Sequence, residues 1–82
     1  MSNLALVFSF SGNNWTLQCK STDVIGDVFN KFCAKALLDP NEVKFYFNSF
    51  EIKKDCGKTV RALNLKTFTT FDVVRAKIVI GA

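Results

Sequence analysis

The side chains that could perform chemistry in this chain are three cysteines and seven carboxylates, because the sequence contains no histidine. Cys19, Cys33 and Cys56 are too widely separated to form a Cys-x-x-Cys pair. They cannot complete the four-ligand set of a structural zinc site, and they do not form the clustered loop that holds an iron–sulfur centre. We therefore expect no metal and no cofactor, with reduced thiols and with Cys19 and Cys33 in the core.

The residue types also give little support for catalysis. The commonest general base is absent, and the Asp and Glu residues are dispersed without a readable pairing. Cys56 stands near Lys54 and Lys58 and is the one candidate for an activated thiol, although a surface thiol without a role is the simpler interpretation. We expect a protein that is not an enzyme and has no small-molecule substrate.

Length and composition predict one folded domain over residues 1–82. Hydrophobic residues make up 49% of the chain and nine of them are Phe, which suits the dense core that so small a domain needs. No apolar run approaches the roughly 18 residues of a membrane-spanning helix, so we expect no membrane insertion. Segment 4–10 is apolar but lacks preceding basic residues, which disfavours a signal peptide. We expect an intracellular protein of a reducing compartment, the cytoplasm before an organellar matrix, and Met1 favours a stand-alone chain.

The first half of the pattern predicts a β-hairpin followed by one helix. Leu4–Phe10 and Trp15–Lys20 have the character of strands, and the residues between them favour a tight turn. Ser21-Thr22-Asp23 predicts a helix start, and apolar residues then recur at steps of three and four over 24–37. The helix should end before Pro40, which disfavours helical conformation in the residue preceding it.

The second half predicts three more strands and a helical turn. The strands are Val43–Asn48, Phe50–Ile52 and Phe71–Ile80, and the turn is Thr59–Leu63. The order predicts an α+β domain in which a mixed sheet of about five strands packs on one helix. The last strand should lie parallel to the first, because the elements between them supply a long crossover.

Several sequence blocks, in this order, resemble the ubiquitin family over essentially the whole chain. Segment 21–25 resembles the family's helix cap and first helical turn, and Phe-Tyr-Phe-Asn-Ser-Phe-Glu-Ile at 45–52 resembles its third strand, turn and fourth strand. Segment 58–65 resembles its T-L-x-D-Y-x-I turn, and 70–74 resembles its last strand. The resemblance implies a ubiquitin-like β-grasp fold. The side chains that we expect to point inward are Val7, Trp15, Leu17, Cys19, Ile25, Val28, Phe32, Phe45, Ile52, Val60, Leu65, Phe71 and Val73.

The sheet face away from the helix is predicted to bind a protein. If Ala5 and Val7 point toward the helix, the alternating residues of the first strand point away from it. The ubiquitin resemblance implies a small apolar patch on this face, at positions matching Phe10, Tyr46 and Val74. An apolar outer face favours an interface, although a strand or loop covering Phe8 and Phe10 is the alternative. The predicted partner-binding residues are Leu6, Phe8, Phe10, Lys44, Tyr46, Asp72 and Val74.

The leading functional interpretation is a non-covalent protein-interaction module, such as a small accessory or structural subunit of a multi-subunit assembly. The alternative is a covalent ubiquitin-like modifier or a sulfur carrier. The resemblance implies a Gly-Gly end for those classes, whereas this chain ends Gly81-Ala82 after an apolar, β-branched run. An RNA-binding module is a third interpretation. The net charge of +4 allows it, but alternation leaves Tyr46 as the one outward ring of Phe45-Tyr46-Phe47, and no RNP-type motif surrounds it.

Overall fold

A computed structural model describes residues 3–76, which form a five-stranded sheet with one α-helix packed on one face. The predicted residues 77–80 of the last strand and the Gly81-Ala82 end lie outside this range. In chain order the elements are β1 (Asn3–Phe10), β2 (Asn13–Lys20), α1 (Ile25–Ala36), a 3₁₀ helix (Pro40–Glu42), β3 (Val43–Phe47), β4 (Phe50–Ile52) and β5 (Thr70–Arg75).

The sheet has the mixed topology that the sequence predicts. Its spatial order is β2-β1-β5-β3-β4, so that the first and last strands of the described range lie side by side in its centre. β1 and β5 run parallel, whereas the other three neighbouring pairs are antiparallel. The predicted parallel pairing of the last strand with the first is therefore confirmed.

The helix begins later than the Ser21-Thr22-Asp23 sequence predicts. The N-cap residue is Val24, whose side chain makes no capping hydrogen bond. The Asp23 carboxylate instead accepts a 2.8 Å hydrogen bond from the Lys20 backbone N–H, which closes the turn after β2. The Ile25 N–H donates to the Lys58 carbonyl oxygen at 2.8 Å, so a distant loop supplies one of the partners that the helix start needs.

Phenylalanine rings form the centre of the core between the sheet and α1. The Phe8 ring stacks on Phe32 and Phe71, with centroids 4.6 and 5.3 Å away, and meets Phe29 and Phe45 edge-on at 6.0 Å each. Phe29 and Phe45 in turn stack at 3.9 Å. Five of the nine phenylalanines thus form one aromatic cluster, which explains how so short a chain fills its interior.

The predicted orientation of β1 is wrong. Leu6 and Phe8 have no exposed surface and lie on the helix side of the sheet, whereas Val7 lies on the opposite face and is half-buried. The reason is volume: the even positions of β1 carry Leu and Phe, which fill the space under α1, and the odd positions carry Ala, Val and Ser.

The rest of the predicted inward set agrees with the structure. Trp15 and Ile52 are half-buried against the core, and the other members apart from Val7 are buried. The buried core also contains Cys33, as predicted, and four residues that the predicted inward set left out, which are Leu6, Phe8, Phe29 and Val43.

Candidate protein-binding face

Four of the predicted partner-binding residues lie together on the outer face of the sheet. β3 and β5 are antiparallel neighbours in which Lys44 stands opposite Val74 and Tyr46 stands opposite Asp72. The residues between them, Phe45 and Val73, are buried on the helix side, so alternation places all four on the other face. We refer to Lys44, Tyr46, Asp72 and Val74 as the outer-face quartet.

The outer-face quartet combines apolar surface with charges of both signs. Val74 is 43% exposed and Tyr46 is half-buried, whereas Lys44 and Asp72 are exposed. Glu51 of β4 stands opposite Tyr46, and Ser9 of β1 stands opposite Asp72. The two apolar side chains are therefore set among polar groups, as the apolar contact of a protein interface is surrounded by a polar rim.

The other three predicted residues do not belong to this surface. Leu6 and Phe8 are core residues without exposed surface, so the prediction that they belong to a docking face is wrong. Phe10 is half-buried on the helix side, where it packs against the core. The guanidinium carbon of Arg75 lies 5.4 Å from the centroid of the Phe10 ring, so a cation covers part of what was expected to be an open apolar surface.

Val7 lies on the outer face of the sheet, where its neighbours Leu6 and Phe8 were predicted to lie. It lies on the outer face of β1 opposite Thr70 of β5, one step along the face from the Ser9–Asp72 pair. It extends the apolar surface toward β1, although it is only half exposed. Comparing side-chain sizes at alternate positions of β1 could have identified it, because the bulkier set belongs in the core.

Among residues 3–76, three large apolar side chains are more exposed than Val74, and none of them was predicted to lie at the surface. Leu37 is 91% exposed, Phe50 is 74% exposed and Phe68 is 68% exposed. Phe50 starts β4 directly after the Asn48-Ser49 turn, opposite Phe47. Leu37 belongs to the apolar set over 24–37 from which the helix was predicted, but it is the C-cap residue of α1, and its left-handed φ of +59° takes it out of the helical repeat. Phe50 lies at the start of a strand and Phe68 in a turn, where hydrophobic periodicity carries no signal.

The cysteines show no sign of a reactive or metal-binding arrangement. Cys19 and Cys33 are buried, and burial is the main cause that raises the pKa of each thiol. Cys56 is exposed, and all three are free thiols. Within residues 3–76, no three His, Cys, Asp or Glu side chains are grouped closely enough to hold a metal ion, and no helix there is long and apolar enough to cross a membrane.

Solved structures with the same fold are ubiquitin and ubiquitin-like domains. The UBL domain of yeast Ddi1 superposes with a TM-score of 0.83 at 15% identity over 94% of this chain and 93% of that one. A ubiquitin-like domain from Arabidopsis thaliana gives 0.82 at 13% identity, covering 95% of this chain and 82% of that one. The ubiquitin of Caldiarchaeum subterraneum gives 0.80 at 16% identity, covering 95% and 99%.

These likenesses establish the fold. The chain has the ubiquitin-like β-grasp fold that its sequence predicts, with a mixed five-stranded sheet and one helix. No family model and no curated protein sequence matches it. At identities of 13–16%, the partners of the three neighbours do not carry over to this chain.

Proposed function

We propose that this protein is a non-enzymatic interaction module that binds a partner protein non-covalently through its outer-face quartet. The observation that carries the proposal is the presence of Tyr46 and Val74 on neighbouring strands of the sheet face that points away from the helix, where Asp72 stands opposite Tyr46 and Lys44 stands opposite Val74. An aromatic side chain and an apolar one, ringed by polar groups, have the composition of a small docking surface.

The size of this surface favours a modest interface rather than a permanent one. A stable interface buries roughly 800 Å² on each partner, which is more than four side chains on two strands can supply. Val7, Ser9 and Glu51 adjoin the quartet on the same face and extend it. The module is therefore best suited to act as a small accessory subunit that makes a transient contact or that contributes one of several contacts in a larger assembly.

The charges of the quartet suggest how partners are selected. Lys44 and Asp72 carry opposite charges on adjacent strands, and Glu51 adds a second carboxylate next to Tyr46. Charges at the rim of an interface mainly reject wrong partners and steer the encounter, whereas the buried apolar contact supplies the affinity. The partner should accordingly offer an apolar site for Tyr46 with both a basic and an acidic group at its margin.

The substitution Tyr46→Glu tests this proposal. It replaces the aromatic side chain of the quartet by a charged one and should weaken binding to the native partner by roughly 10-fold or more, as expected for loss of an aromatic anchor. The fold should persist, because Tyr46 is half-buried on the outer face and lies outside the aromatic cluster. The partner is recovered by co-purification of the tagged wild-type chain from native cells, and its dissociation constant is then measured with each variant.

Gln18→Glu is the matched control, since it adds the same charge to an exposed outer-face position on β2. It should leave binding unchanged. Equal affinity for wild type and Tyr46→Glu would overturn the proposal. A thioester or isopeptide adduct formed by the chain in cell extract with ATP would favour the covalent-modifier alternative instead, and RNA binding that weakens steeply with salt would favour the third.

A further inference from the structure

Phe68 occupies an unfavourable position that its own fold does not explain. Its backbone φ is +65°, in the left-handed region that bulky side chains rarely adopt, and its side chain is 68% exposed. Glycine or asparagine adopts this conformation at lower cost. An exposed ring also recovers little by packing within the chain, so the fold itself gains little from phenylalanine at this position.

Hydrogen bonds to β1 hold the Phe68 backbone in place. The Phe68 N–H donates to the Ala5 carbonyl oxygen, and the Ala5 N–H donates to Thr67 Oγ1 at 3.1 Å. The next residue, Thr69, closes a turn through its N–H to the Lys66 carbonyl oxygen at 3.0 Å. The ring is therefore presented from a backbone that is fixed on both sides, which lowers the entropy cost of using it as an anchor.

A cationic cleft adjoins Phe68 along the chain. Its volume is about 450 Å³, and its lining ends at Thr67, the residue before Phe68. Leu4 and the buried Leu65 give it apolar surface, whereas Arg61 and Lys66 give it positive charge without a carboxylate among its lining residues. Asp23, two positions from the lining residue Ser21, directs its carboxylate to the Lys20 backbone N–H.

We propose that Phe68 and this cleft form a second docking surface, separate from the outer-face quartet, for an acidic partner segment that carries an apolar side chain. Arg61 and Lys66 complement the carboxylates of such a segment, the leucines of the cleft receive its apolar side chain, and the Phe68 ring packs against it. The excess of 11 basic over 7 acidic residues in the chain draws the same kind of partner.

A protein segment fits this surface better than a nucleic acid does. A single-stranded nucleic acid needs a groove of positive charge that follows its backbone, together with aromatic rings on which bases stack. Here a single exposed ring follows Thr67, the last lining residue of a cleft that has two cations and an apolar floor. An acidic peptide is accordingly the expected ligand, and a single-stranded oligonucleotide is tested as the alternative.

The probe is a capped peptide in which Glu residues flank two Leu residues, titrated into the ¹⁵N-labelled full chain. Amide shifts should occur around Arg61, Lys66 and Phe68. Phe68→Gly should weaken the dissociation constant at least about fivefold, as for truncation of an aromatic anchor, while the thermal midpoint stays unchanged or rises. Lys66→Glu should weaken it as well, through the charge rather than through the ring.

Leu37→Gly is the matched control, because Leu37 is also an exposed apolar residue with a left-handed φ of +59°, at the other end of α1 from the Lys58 contact. It should leave peptide binding unchanged, as should Tyr46→Glu, which keeps this test independent of the proposed function. The inference is overturned by any of four results: no amide shifts, equal affinity of wild type and Phe68→Gly, equal binding of the same peptide with Lys in place of Glu, or tighter binding of a single-stranded oligonucleotide.

Discussion

Phe8 was predicted to lie on a protein-binding face, and it lies instead at the centre of the core. Its ring contacts four other aromatic rings and has no exposed surface. Rings of the helix, of β3 and of β5 all meet on it, so removing it opens a cavity that no single neighbour can fill. The Phe8 side chain therefore stabilises the packing of the helix against the sheet.

Phe8→Ala should therefore lower the free energy of unfolding by about 3–5 kcal/mol, the cost of truncating a buried phenylalanine. Urea denaturation followed by circular dichroism measures it. Phe10→Ala is the control on the same strand and the same side of the sheet, and it should cost less because Phe10 is only half-buried. A loss no larger for Phe8→Ala than for Phe10→Ala would contradict the position of Phe8 at the centre of the core.

The misassigned face of β1 shows what alternation can and cannot predict at the scale of one residue. Apolar residues occupy both sets of positions in Leu4–Phe10, so the period of two identifies a strand without telling which side faces the helix. On β5 the charged Asp72 stands between Phe71 and Val73, so alternation places Val74 on the face of Asp72. On β3 the charged Lys44 marks the face of Tyr46 in the same way. Exposure of Phe50 and Phe68 could not be predicted, since it depends on what other segments leave uncovered.

At the scale of elements, the loop 53–58 and the start of α1 depend on each other. The Lys54 carbonyl oxygen lies so close to Gly26, in the first turn of the helix, that a Cβ at this position would overlap with it. The Ile25 N–H donates to the Lys58 carbonyl oxygen, and Val24 forms a β-bridge with Thr59. The sequence predicted a polar loop, but periodicity is local and could not indicate that this loop crosses the helix start.

Gly26→Ala should accordingly destabilise the protein, by about 1–3 kcal/mol as for an overpacked buried site. Helix propensity acts in the opposite direction, since alanine is favoured over glycine by about 1 kcal/mol in a helix. The steric term wins, because the obstacle is backbone rather than the end of a flexible side chain. Thermal unfolding measures the net effect.

Asn30→Ala on the exposed face of α1 is the control for this prediction. Asn30→Ala raises the helix propensity at an exposed position, where the added stability is not offset by a steric clash. It should leave the thermal midpoint unchanged or raise it. A rise for Gly26→Ala comparable to that for Asn30→Ala would show that the loop does not constrain the helix start as the structure indicates.

For the whole molecule, the order of the elements was more informative than any single motif. A chain with the order hairpin, helix, hairpin, turn and final strand can fold in few ways. A parallel pairing of β1 and β5 requires a long crossover, which the elements between them supply. The same order serves ubiquitin and ubiquitin-like domains of different proteins, so it does not specify a partner. Function must be sought in the side chains that differ at the surface.

The buried thiols report on the stability of the molecule as a whole, because Cys19 lies in β2 and Cys33 in α1, on the two layers of the core. Burial is the first cause that raises the pKa of both thiols, and the Asp23 carboxylate raises that of Cys19 further. Under native conditions iodoacetamide should modify the exposed Cys56 readily. It should modify Cys19 and Cys33 only as fast as the core opens.

The raised pKa of the two thiols also predicts a loss of stability at alkaline pH. Unfolded thiols release their protons near pH 8.5, whereas the folded chain retains them to higher pH. The unfolded state then binds fewer protons than the folded one, so the free energy of unfolding falls as pH rises. The thiol contribution is complete below the unfolded pKa and is lost progressively as pH rises through the raised pKa of the folded state.

Urea denaturation between neutral pH and roughly pH 10 measures this decline. The contribution of one thiol is the difference in slope between wild type and the variant that lacks that thiol. Cys33→Ala lowers stability at every pH by leaving a small cavity, but it should flatten the alkaline decline because one of the two retained protons is gone. If the alkaline decline in the free energy of unfolding is as steep for Cys33→Ala as for wild type, the Cys33 thiol titrates alike in the folded and the unfolded chain. Solvent would then reach the core without global unfolding.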